Sequence, residues 1–397
     1  MKSQSRWLSR ALATALVACT TAPGLTFAQA YSQAHAFTQA EGRQLYGRLL
    51  ERPDGRLVGT APSGGEFNRG TVYELDPATN AVTILHSFAG GGHDGKKPMS
   101  GVTVGPDGNL WGVTRNGGRA KRGTIYRILS DGHLEIVHMF GKDADDGGRN
   151  PIGALVLASD GFMYGTTFSG GVAGKGAVFR VNADNSVATI WSISGTGAPR
   201  AVQGRLLEGS DGMLYGTSAF GGGGKDCGTV FRLAKDGSAA EVLHSFSCTD
   251  GYDGFGGVTE GTDGRLYGVT TIGGAGGGGV AFRLDRDGAN FVVLYDFKRD
   301  NVDGWGPFGE LIEASPGVFM GTTDQGGPSG LGTVFQMTDG GTITTLHSFT
   351  GAMTPEGYVD GARPTTAVTR LADGSFAGVT QWGGTDNVGT IFRLSMP

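Results

Sequence analysis

The amino-acid sequence repeats one three-part text seven times, and no other feature restricts the fold as strongly. One copy reads Leu-Tyr-Gly-Thr-Ser-Ala-Phe-Gly-Gly from residue 214, Gly-Thr-Val-Phe-Arg-Leu from residue 228 and Val-Leu-His-Ser-Phe from residue 242. Its first glycine recurs roughly every 52 residues, a period typical of propellers and solenoids, at Gly59, Gly112, Gly165, Gly216, Gly268, Gly321 and Gly378.

Residues 153–193 show what one copy folds into. Short apolar runs begin at Gly153, Met163, Gly176 and Val187, and Asp-Gly or Asp-Asn stands between the first and second runs and between the third and fourth. These dipeptides favour tight hairpin turns. Glycine makes up 75 of the 397 residues, yet 38% of the chain is hydrophobic, which favours a packed all-β protein over disorder. The sequence therefore predicts a seven-bladed β-propeller with four antiparallel strands per blade.

The phase of the repeats predicts how the ring closes. The last copy ends at Leu394, after its third strand, whereas residues 34–37 near the N-terminus match the fourth-strand text Leu-His-Ser-Phe. We expect this N-terminal strand to lie beside Phe392 and to complete the last blade, so that residues 31–397 form one propeller. Such pairing also covers strand edges that would otherwise promote aggregation.

The repeated Leu-Tyr-Gly-Thr-Thr, Gly-Gly, Gly-Thr-Val-Phe-Arg-Leu, Asp-Gly and Leu-His-Ser-Phe text resembles the GloVer tandem repeat of bacterial "choice-of-anchor" exported proteins. The resemblance covers nearly all of the chain after residue 30. It implies an extracytoplasmic, propeller-like protein, and it brings neither an established reaction nor catalytic residues. The chain departs from the anchored members because nothing anchor-like follows Leu394.

Residues 1–30 have the features of an export signal: Lys2, Arg6 and Arg10, an apolar stretch over residues 11–18, and an Ala-Gln-Ala cleavage site that ends at Ala30. An alternative is a lipoprotein box that ends at Cys19. Either reading predicts a secreted or periplasmic protein, and no run of eighteen apolar residues is present to span a membrane.

Removal of this signal takes away three positive charges and no negative ones, so the net charge falls from −5 to −8. An acidic chain without a basic stripe is unsuited to the phosphate backbone, which excludes nucleic acid as the expected partner.

Two cysteines remain after the signal, Cys227 and Cys248, both in one repeat. If the turn at residues 235–238 joins the two flanking strands as a hairpin, these cysteines come out nearly opposite each other, which makes a disulfide feasible. An oxidising compartment permits it. We predict this disulfide rather than a metal site.

Five of the seven histidines occupy one repeat position in strand four, and an arginine recurs in strand three. Strand alternation predicts that His244 shares a face with Val242 and Phe246. A residue type that recurs at one position around the ring is expected to stabilise each blade, so we interpret these histidines and arginines as structural. The histidines are His35, His86, His138, His244 and His347.

Binding residues are expected where the copies differ, in the loops between strands two and three and between blades, which lie on one face. The alternative is relaxed constraint at loop tips. The predicted ligand-binding residues are Lys97, Arg115, Asn116, Phe168, Phe220, Trp305, Asp324, Gln381 and Trp382.

Mixed charges with interspersed aromatic rings suit a polysaccharide, or a protein, bound without catalysis. One alternative is a polysaccharide lyase (a hydrolase is less favoured), with Tyr252 or His93 as base and Arg149, Arg200 or Lys97 as the cation that neutralises a uronate carboxylate. Another alternative is a structural component of the cell envelope.

No cofactor is predicted. Calcium is a weak alternative at Asp143, Asp145 and Asp146 or at Asp250 and Asp253, but neither segment matches an EF-hand loop, and turn aspartates are the favoured interpretation. The sequence does not predict an oligomeric state.

Overall fold

The computed structural model describes residues 30–141, 148–352 and 359–396, and these form seven antiparallel sheets arranged in a ring. The predicted seven-bladed β-propeller is therefore confirmed. No helix in the described part of the chain is long and apolar enough to cross a membrane.

Each blade contains four strands, counted outward from the central axis. The first strands are β2 (Tyr46–Glu51), β7 (Thr103–Val104), β13 (Val156–Leu157), β17 (Leu207–Glu208), β21 (Val258–Glu260), β26 (Ile312–Ser315) and β31 (Thr369–Arg370). The second strands are β3 (Leu57–Ala61), β8 (Leu110–Thr114), β14 (Met163–Ser169), β18 (Leu214–Ser218), β22 (Leu266–Thr270), β27 (Val318–Gln325) and β32 (Phe376–Thr380).

The two outer sets complete the blades. The third strands are β4 (Thr71–Asp76), β10 (Thr124–Ile128), β15 (Ala177–Val181), β19 (Thr229–Leu233), β23 (Gly277–Leu284), β28 (Thr333–Thr338) and β34 (Thr390–Ser395). The fourth strands are β5 (Ala81–Ser87), β11 (Leu134–Met139), β16 (Val187–Ser192), β20 (Ala240–Ser245), β24 (Val292–Lys298), β29 (Ile343–Ser348) and β1 (Ala30–Ala36). Six short strands lie on the loop face: β6 (Gly95–Lys96), β9 (Asn116–Gly117), β12 (Arg149–Pro151), β25 (Trp305–Pro307), β30 (Gly361–Ala362) and β33 (Trp382–Gly383).

The N-terminal strand closes the ring as predicted. β1 pairs antiparallel with β34, with Gln33 opposite Phe392 and His35 opposite Ile391. Phe37, which follows β1, is 1% exposed and packs against Tyr73 of blade 1 with the ring centroids 4.7 Å apart. The first described segment therefore joins blade 7 to blade 1 through both backbone and side chains.

The repeat glycine makes room for an aromatic ring on the neighbouring strand. A Cβ at Gly59 would lie 2.3 Å from the Tyr73 hydroxyl, and one at Gly112 would lie 2.4 Å from the Tyr126 hydroxyl. The rings of strand three can lie flat over strand two only where the side chain opposite is absent. This requirement explains why the glycine recurs in every copy.

The strand-four histidines stabilise the start of the next inter-blade loop. Nε2 of His244 lies 3.2 Å from Asp250, and the same Asp250 carboxylate accepts a hydrogen bond from the Ser247 backbone N–H at 2.7 Å. His86 and Asp94 repeat this arrangement in blade 1. Burial lowers the pKa of His244, and the Asp250 carboxylate opposes that shift. These histidines therefore have a structural role.

The expected alternation around His244 is interrupted by a β-bulge. The pairing of β19 with β20 shifts between Val230, opposite His244, and Phe231, opposite Val242. Val242 is consequently 38% exposed, and Leu243 packs against the buried cluster instead. The prediction that His244 shares a face with Val242 is wrong, because the extra residue reverses the alternation between these two positions.

The predicted disulfide joins Cys227 to Cys248, with a Cα–Cα distance of 5.4 Å. Cys227 precedes β19 and Cys248 follows β20, so the bond crosses the open end of that hairpin. The backbone carbonyl of Cys227 also accepts the Asp253 N–H at 3.3 Å. The disulfide therefore lies beside the junction between blades 4 and 5.

We expect Phe37→Ala to lower the free energy of unfolding of the whole ring by about 3–5 kcal/mol, because it leaves a cavity at the closure between blades 7 and 1. Phe67→Ala is the matched control: Phe67 is 46% exposed, so its loss should change stability by about 0.5 kcal/mol or less. Denaturant unfolding followed by tryptophan fluorescence measures both variants. Equal stabilities would contradict the importance of ring closure.

Replacement of Cys227 and Cys248 by serine should cost about 3 kcal/mol, since the bond closes a loop with a sequence separation of 21 residues. Unfolding of the wild type with and without reductant should show the same difference. Two free thiols per chain, titrated in the non-reduced denatured protein, would be the contrary result.

Candidate functional site

Seven equivalent residue pairs form a ring on the loop face, which we call the rim. In each pair, a residue of the inter-blade loop lies opposite the extension of strand two. The pairs are Arg43–Ser63, Lys96–Asn116, Arg149–Ser169, Arg200–Phe220, Tyr252–Ile272, Trp305–Gln325 and Ala362–Trp382. The backbone is thus constant around the rim while the side chains differ from blade to blade.

The residue after each inter-blade member of the rim adopts a left-handed backbone conformation. The φ angles lie between 56° and 69° at Gln44, Lys97, Asn150, Ala201, Asp253, Gly306 and Arg363. Such φ values are uncommon outside glycine, but here the N–H of Lys97 reaches Arg69 O at 2.9 Å and that of Arg363 reaches Leu331 O at 2.8 Å, each in the preceding blade. The conformation therefore belongs to the junction between blades.

Below the rim, the seven first strands surround the axis. Glycines in this layer allow close approach of adjacent blades: a Cβ at Gly47 would lie 2.1 Å from Gly101 N. Tyr46 of blade 1 contacts Phe255 and Phe308 of blades 5 and 6, with centroid distances of 6.3 and 6.1 Å. These contacts span the axis, so an aromatic cluster closes the channel and leaves a cavity of about 90 Å3.

Charged groups differ on the two sides of this aromatic cluster. On the hairpin side, Arg48 lies 3.9 Å from Glu310, and burial lowers the pKa of Arg48. On the loop side, burial followed by the charges of Asp324 and Asp253 raises the pKa of Tyr46. The charge of Arg115 opposes this shift. We call the space on the loop side of the aromatic cluster the funnel; Asp253 and Asp324 lie at its floor.

Asp253 is the most perturbed acid in this funnel. Burial raises its pKa to about 6, and its Oδ1 atom is buried without a hydrogen-bond partner among the described residues. Burial also raises the pKa of Asp324 in the next blade. A Cβ at Gly306 would lie 3.8 Å from both Asp324 Cβ of blade 6 and Thr271 O of blade 5, so this position contacts both blades.

The predicted ligand-binding residues lie at or next to the rim. Lys97, Arg115 and Asn116 belong to blade 2, Phe168 to blade 3 and Phe220 to blade 4, and the others belong to blades 6 and 7. Most are half-buried and Lys97 is exposed. Cations stack on several of the rings: the guanidinium of Arg115 is 5.8 Å from the Phe168 centroid, and that of Arg299 is 5.0 Å from the Trp305 centroid.

The side chains of the rim divide it into two halves. The inter-blade members in blades 1 to 4 are the cations Arg43, Lys96, Arg149 and Arg200, whereas those of blades 5 to 7 are Tyr252, Trp305 and Ala362. In blade 7 the strand-two member, Trp382, supplies the aromatic ring. The sequence shows these residues individually, but the ring arrangement reveals their grouping.

The residues of the lyase hypothesis are only partly brought together. Arg200 lies over the Phe220 ring at 4.9 Å, and the Tyr252 ring is 6.1 Å from the same ring. Arg200 is also paired with Asp226. His93 is exposed in the loop before blade 2, and Arg149 enters blade 3. A base and a cation therefore share one site only at Tyr252 and Arg200.

Of the two segments considered for calcium, only the one with Asp250 and Asp253 lies within the described residues. Asp143, Asp145 and Asp146 lie outside the described residues. Asp250 binds His244 and the Ser247 N–H, as a turn aspartate would. Within residues 30–141, 148–352 and 359–396, no group of three or more His, Cys, Asp or Glu side chains is arranged to hold a metal ion.

A family model described as the Gloeobacter/Verrucomicrobia repeat matches residues 89–226 and 202–397. This match confirms the resemblance carried by the repeats and covers well over half of the chain. No curated protein matches the sequence.

Solved propellers resemble the fold at low sequence identity. The extracellular domain of a hybrid two-component system from B. thetaiotaomicron is 10% identical with a TM-score of 0.60, and the match covers 91% of this chain and 39% of that one. An oligogalacturonate lyase from Vibrio parahaemolyticus is 10% identical with a TM-score of 0.54, covering 92% of this chain and 93% of that one. At such identity the likeness concerns the fold alone.

We expect Asp253→Asn to stabilise the protein at pH 8 by roughly 1–3 kcal/mol. The folded state raises the pKa of this acid to about 6 from its ordinary value of 3.8, so its ionisation disfavours folding above pH 6 and has no such effect below about pH 4. The advantage of the variant should therefore shrink as the pH falls from 6 to 4.

Denaturant unfolding at pH 4.5 and pH 8 measures this difference. Asp386→Asn, at an exposed loop carboxylate of blade 7, is the matched control and should show little change at either pH. A stability difference for Asp253→Asn that is independent of pH would contradict the burial of this carboxylate.

Proposed function

Because this chain belongs to the Gloeobacter/Verrucomicrobia repeat family and folds as a seven-bladed β-propeller, we propose that it is an exported protein that binds a polysaccharide at the rim. The observation that carries the proposal is the rim itself. It combines a backbone repeated in seven blades with half-buried aromatic rings and polar side chains that differ in each blade.

The physical basis is the fit between these side chains and sugars. Half-buried rings such as Trp305 and Trp382 can cover the apolar faces of sugar rings at little entropic cost, because the blade already holds them. Asn116, Gln325 and Gln381 supply amide donors and acceptors for hydroxyl groups. The alternative is that these positions vary because loop tips are under little constraint. In that case half-buried aromatic and amide side chains on a hydrogen-bonded backbone would not be expected. A protein ligand is the alternative occupant of the same ring.

Export is supported by the disulfide and by the likeness to an extracellular domain. The signal over residues 1–30 would direct the chain out of the cytoplasm, through cleavage after Ala30 or through lipidation at Cys19. Cleavage after Ala30 would retain Tyr31, whose ring stacks on His347 with centroids 3.6 Å apart. The closing strand thus begins where the signal ends.

A polysaccharide lyase is the second candidate, favoured by the shared contact of Tyr252 and Arg200 with Phe220. In that reaction Tyr252 would remove the proton next to a uronate carboxylate, and Arg200 would neutralise the carboxylate. The ion pair of Arg200 with Asp226 competes with this second role. Incubation with uronic-acid polysaccharides distinguishes the candidates, because only a lyase generates unsaturated ends that absorb in the ultraviolet.

Replacement of both Trp305 and Trp382 by alanine should weaken binding of a retained polysaccharide roughly tenfold or more, because each loss removes an aromatic face from the rim. Affinity electrophoresis against a panel of neutral and uronic-acid polysaccharides identifies a retained polymer, and calorimetry measures its affinity.

Phe162→Ala is the matched control. Phe162 is half-buried beneath Arg180 at 4.6 Å, as Trp305 is beneath Arg299, but it belongs to a hairpin turn on the opposite face. All variants are first compared for thermal stability. Unchanged affinity of the correctly folded double variant would overturn binding at the rim.

A further inference from the structure

A cavity of about 360 Å3 lies on the loop face where blade 1 meets blade 2, and four cationic side chains line it. Arg69 comes from the loop between β3 and β4, Lys96 and Lys97 from the inter-blade loop, and Lys121 from the loop before β10. Asn116, the rim partner of Lys96, also lines the cavity. We call this space the blade 1–2 cavity.

Backbone hydrogen bonds hold three of these cations in position. The carbonyl of Arg69 accepts the Lys97 N–H at 2.9 Å, and the carbonyl of Lys97 accepts the Arg115 N–H at 3.0 Å. Lys96 lies opposite Asn116 in the pairing of β6 with β9. The backbone of these three residues is therefore held at the blade junction rather than on free loop tips.

These cations have no counter-ions among the described residues. None of the four takes part in an ion pair within 30–141, 148–352 and 359–396, and the nearby Asp94 is already engaged by His86 and by backbone N–H groups. The three loop stretches around the cavity contain Arg69, Lys96, Lys97, Arg115, Arg119, Lys121 and Arg122 but only Glu66 and Asp94 as acids.

The positive charge around the cavity contrasts with the net charge of the whole chain, which is −5. Like charges held around one cavity repel each other, and an anion placed among them relieves that repulsion. The volume lies near the lower end of the range for small-molecule sites. The cavity is therefore suited to one anionic group rather than to a large neutral ligand.

We propose that the blade 1–2 cavity binds the carboxylate or sulfate group of an acidic polysaccharide whose neighbouring sugars lie along the rim; this inference rests on the proposed function. The rim continues from the cavity to Arg115, whose guanidinium lies 5.8 Å from the Phe168 centroid, so a sugar next to the anionic group meets a further cation and an aromatic ring. A polyphosphate chain is disfavoured, because it has no sugar faces to pack on the aromatic rings of the rim.

The test compares two double variants of equal charge change. Arg69→Gln with Lys121→Gln alters the cavity without touching the rim pairs, and Lys225→Gln with Lys298→Gln removes two exposed cations from the loop before β19 and from the end of β24. Each protein is titrated with polygalacturonate and with its methyl-esterified, neutral counterpart at 50 and 250 mM NaCl.

We expect the wild type to bind the acidic polymer at least tenfold more tightly than the neutral one, with a preference that falls as salt increases. The cavity variant should lose this preference and keep its affinity for the neutral polymer within about twofold. The control variant should retain the preference. Equal losses in both variants, an intact preference in the cavity variant, or equally tight binding of polyphosphate would overturn the proposal.

A separate measurement distinguishes failure of the cavity proposal from failure of the proposed function. If the wild type binds neither polymer and retains no member of the polysaccharide panel, polysaccharide binding at the rim is refuted, and titration with inorganic sulfate tests the cavity alone. A shift in melting temperature for the wild type that is absent in the cavity variant would support an anion site. The same response in both proteins would refute it.

Discussion

The pairing of β1 with β34 is the interaction on which the remaining structure depends. A propeller blade cannot bury both of its faces alone, so each sheet needs a neighbour on both sides, and only a closed ring provides this for all seven. The N-terminal strand supplies the last backbone edge, while Phe37 fills the boundary between blades 7 and 1. Closure therefore joins residues that are more than 350 positions apart in the sequence.

Constant features of the repeat maintain the junctions, and this leaves the other positions free to vary. The repeat glycine accommodates an aromatic ring, the strand-four histidine binds the Asp-Gly turn, and a left-handed residue links each blade to the one before. Their roles are the same in blade after blade, which makes them unsuitable for one asymmetric site. The rim has the opposite character, because a fixed backbone carries different side chains there.

The two halves of the rim differ in charge. Blades 1 to 4 present cations and contain the blade 1–2 cavity, whereas blades 5 to 7 present aromatic rings above a funnel floor with Asp253 and Asp324. A ligand with alternating ring faces and anionic groups would place its anionic groups on the first half, away from the acidic floor, and its sugar faces on the aromatic rings of the rim. The rings of Tyr46, Phe255 and Phe308 meet across the axis and separate the loop side of the central channel from its hairpin side.

The sequence alone determined the blade count, the closing strand, the disulfide and the positions where blades differ. These follow from local periodicity, because each copy encodes the same hairpins and the phase of the copies indicates which strand is missing. Only the tertiary structure decided which variable residues become neighbours. The raised pKa of Asp253 and the gathering of Arg69, Lys96 and Lys121 around one cavity arise where loops of adjacent blades meet. The repeats specify the strands and turns of each blade. Burial and charge at the site depend on which side chains of adjacent blades lie next to one another.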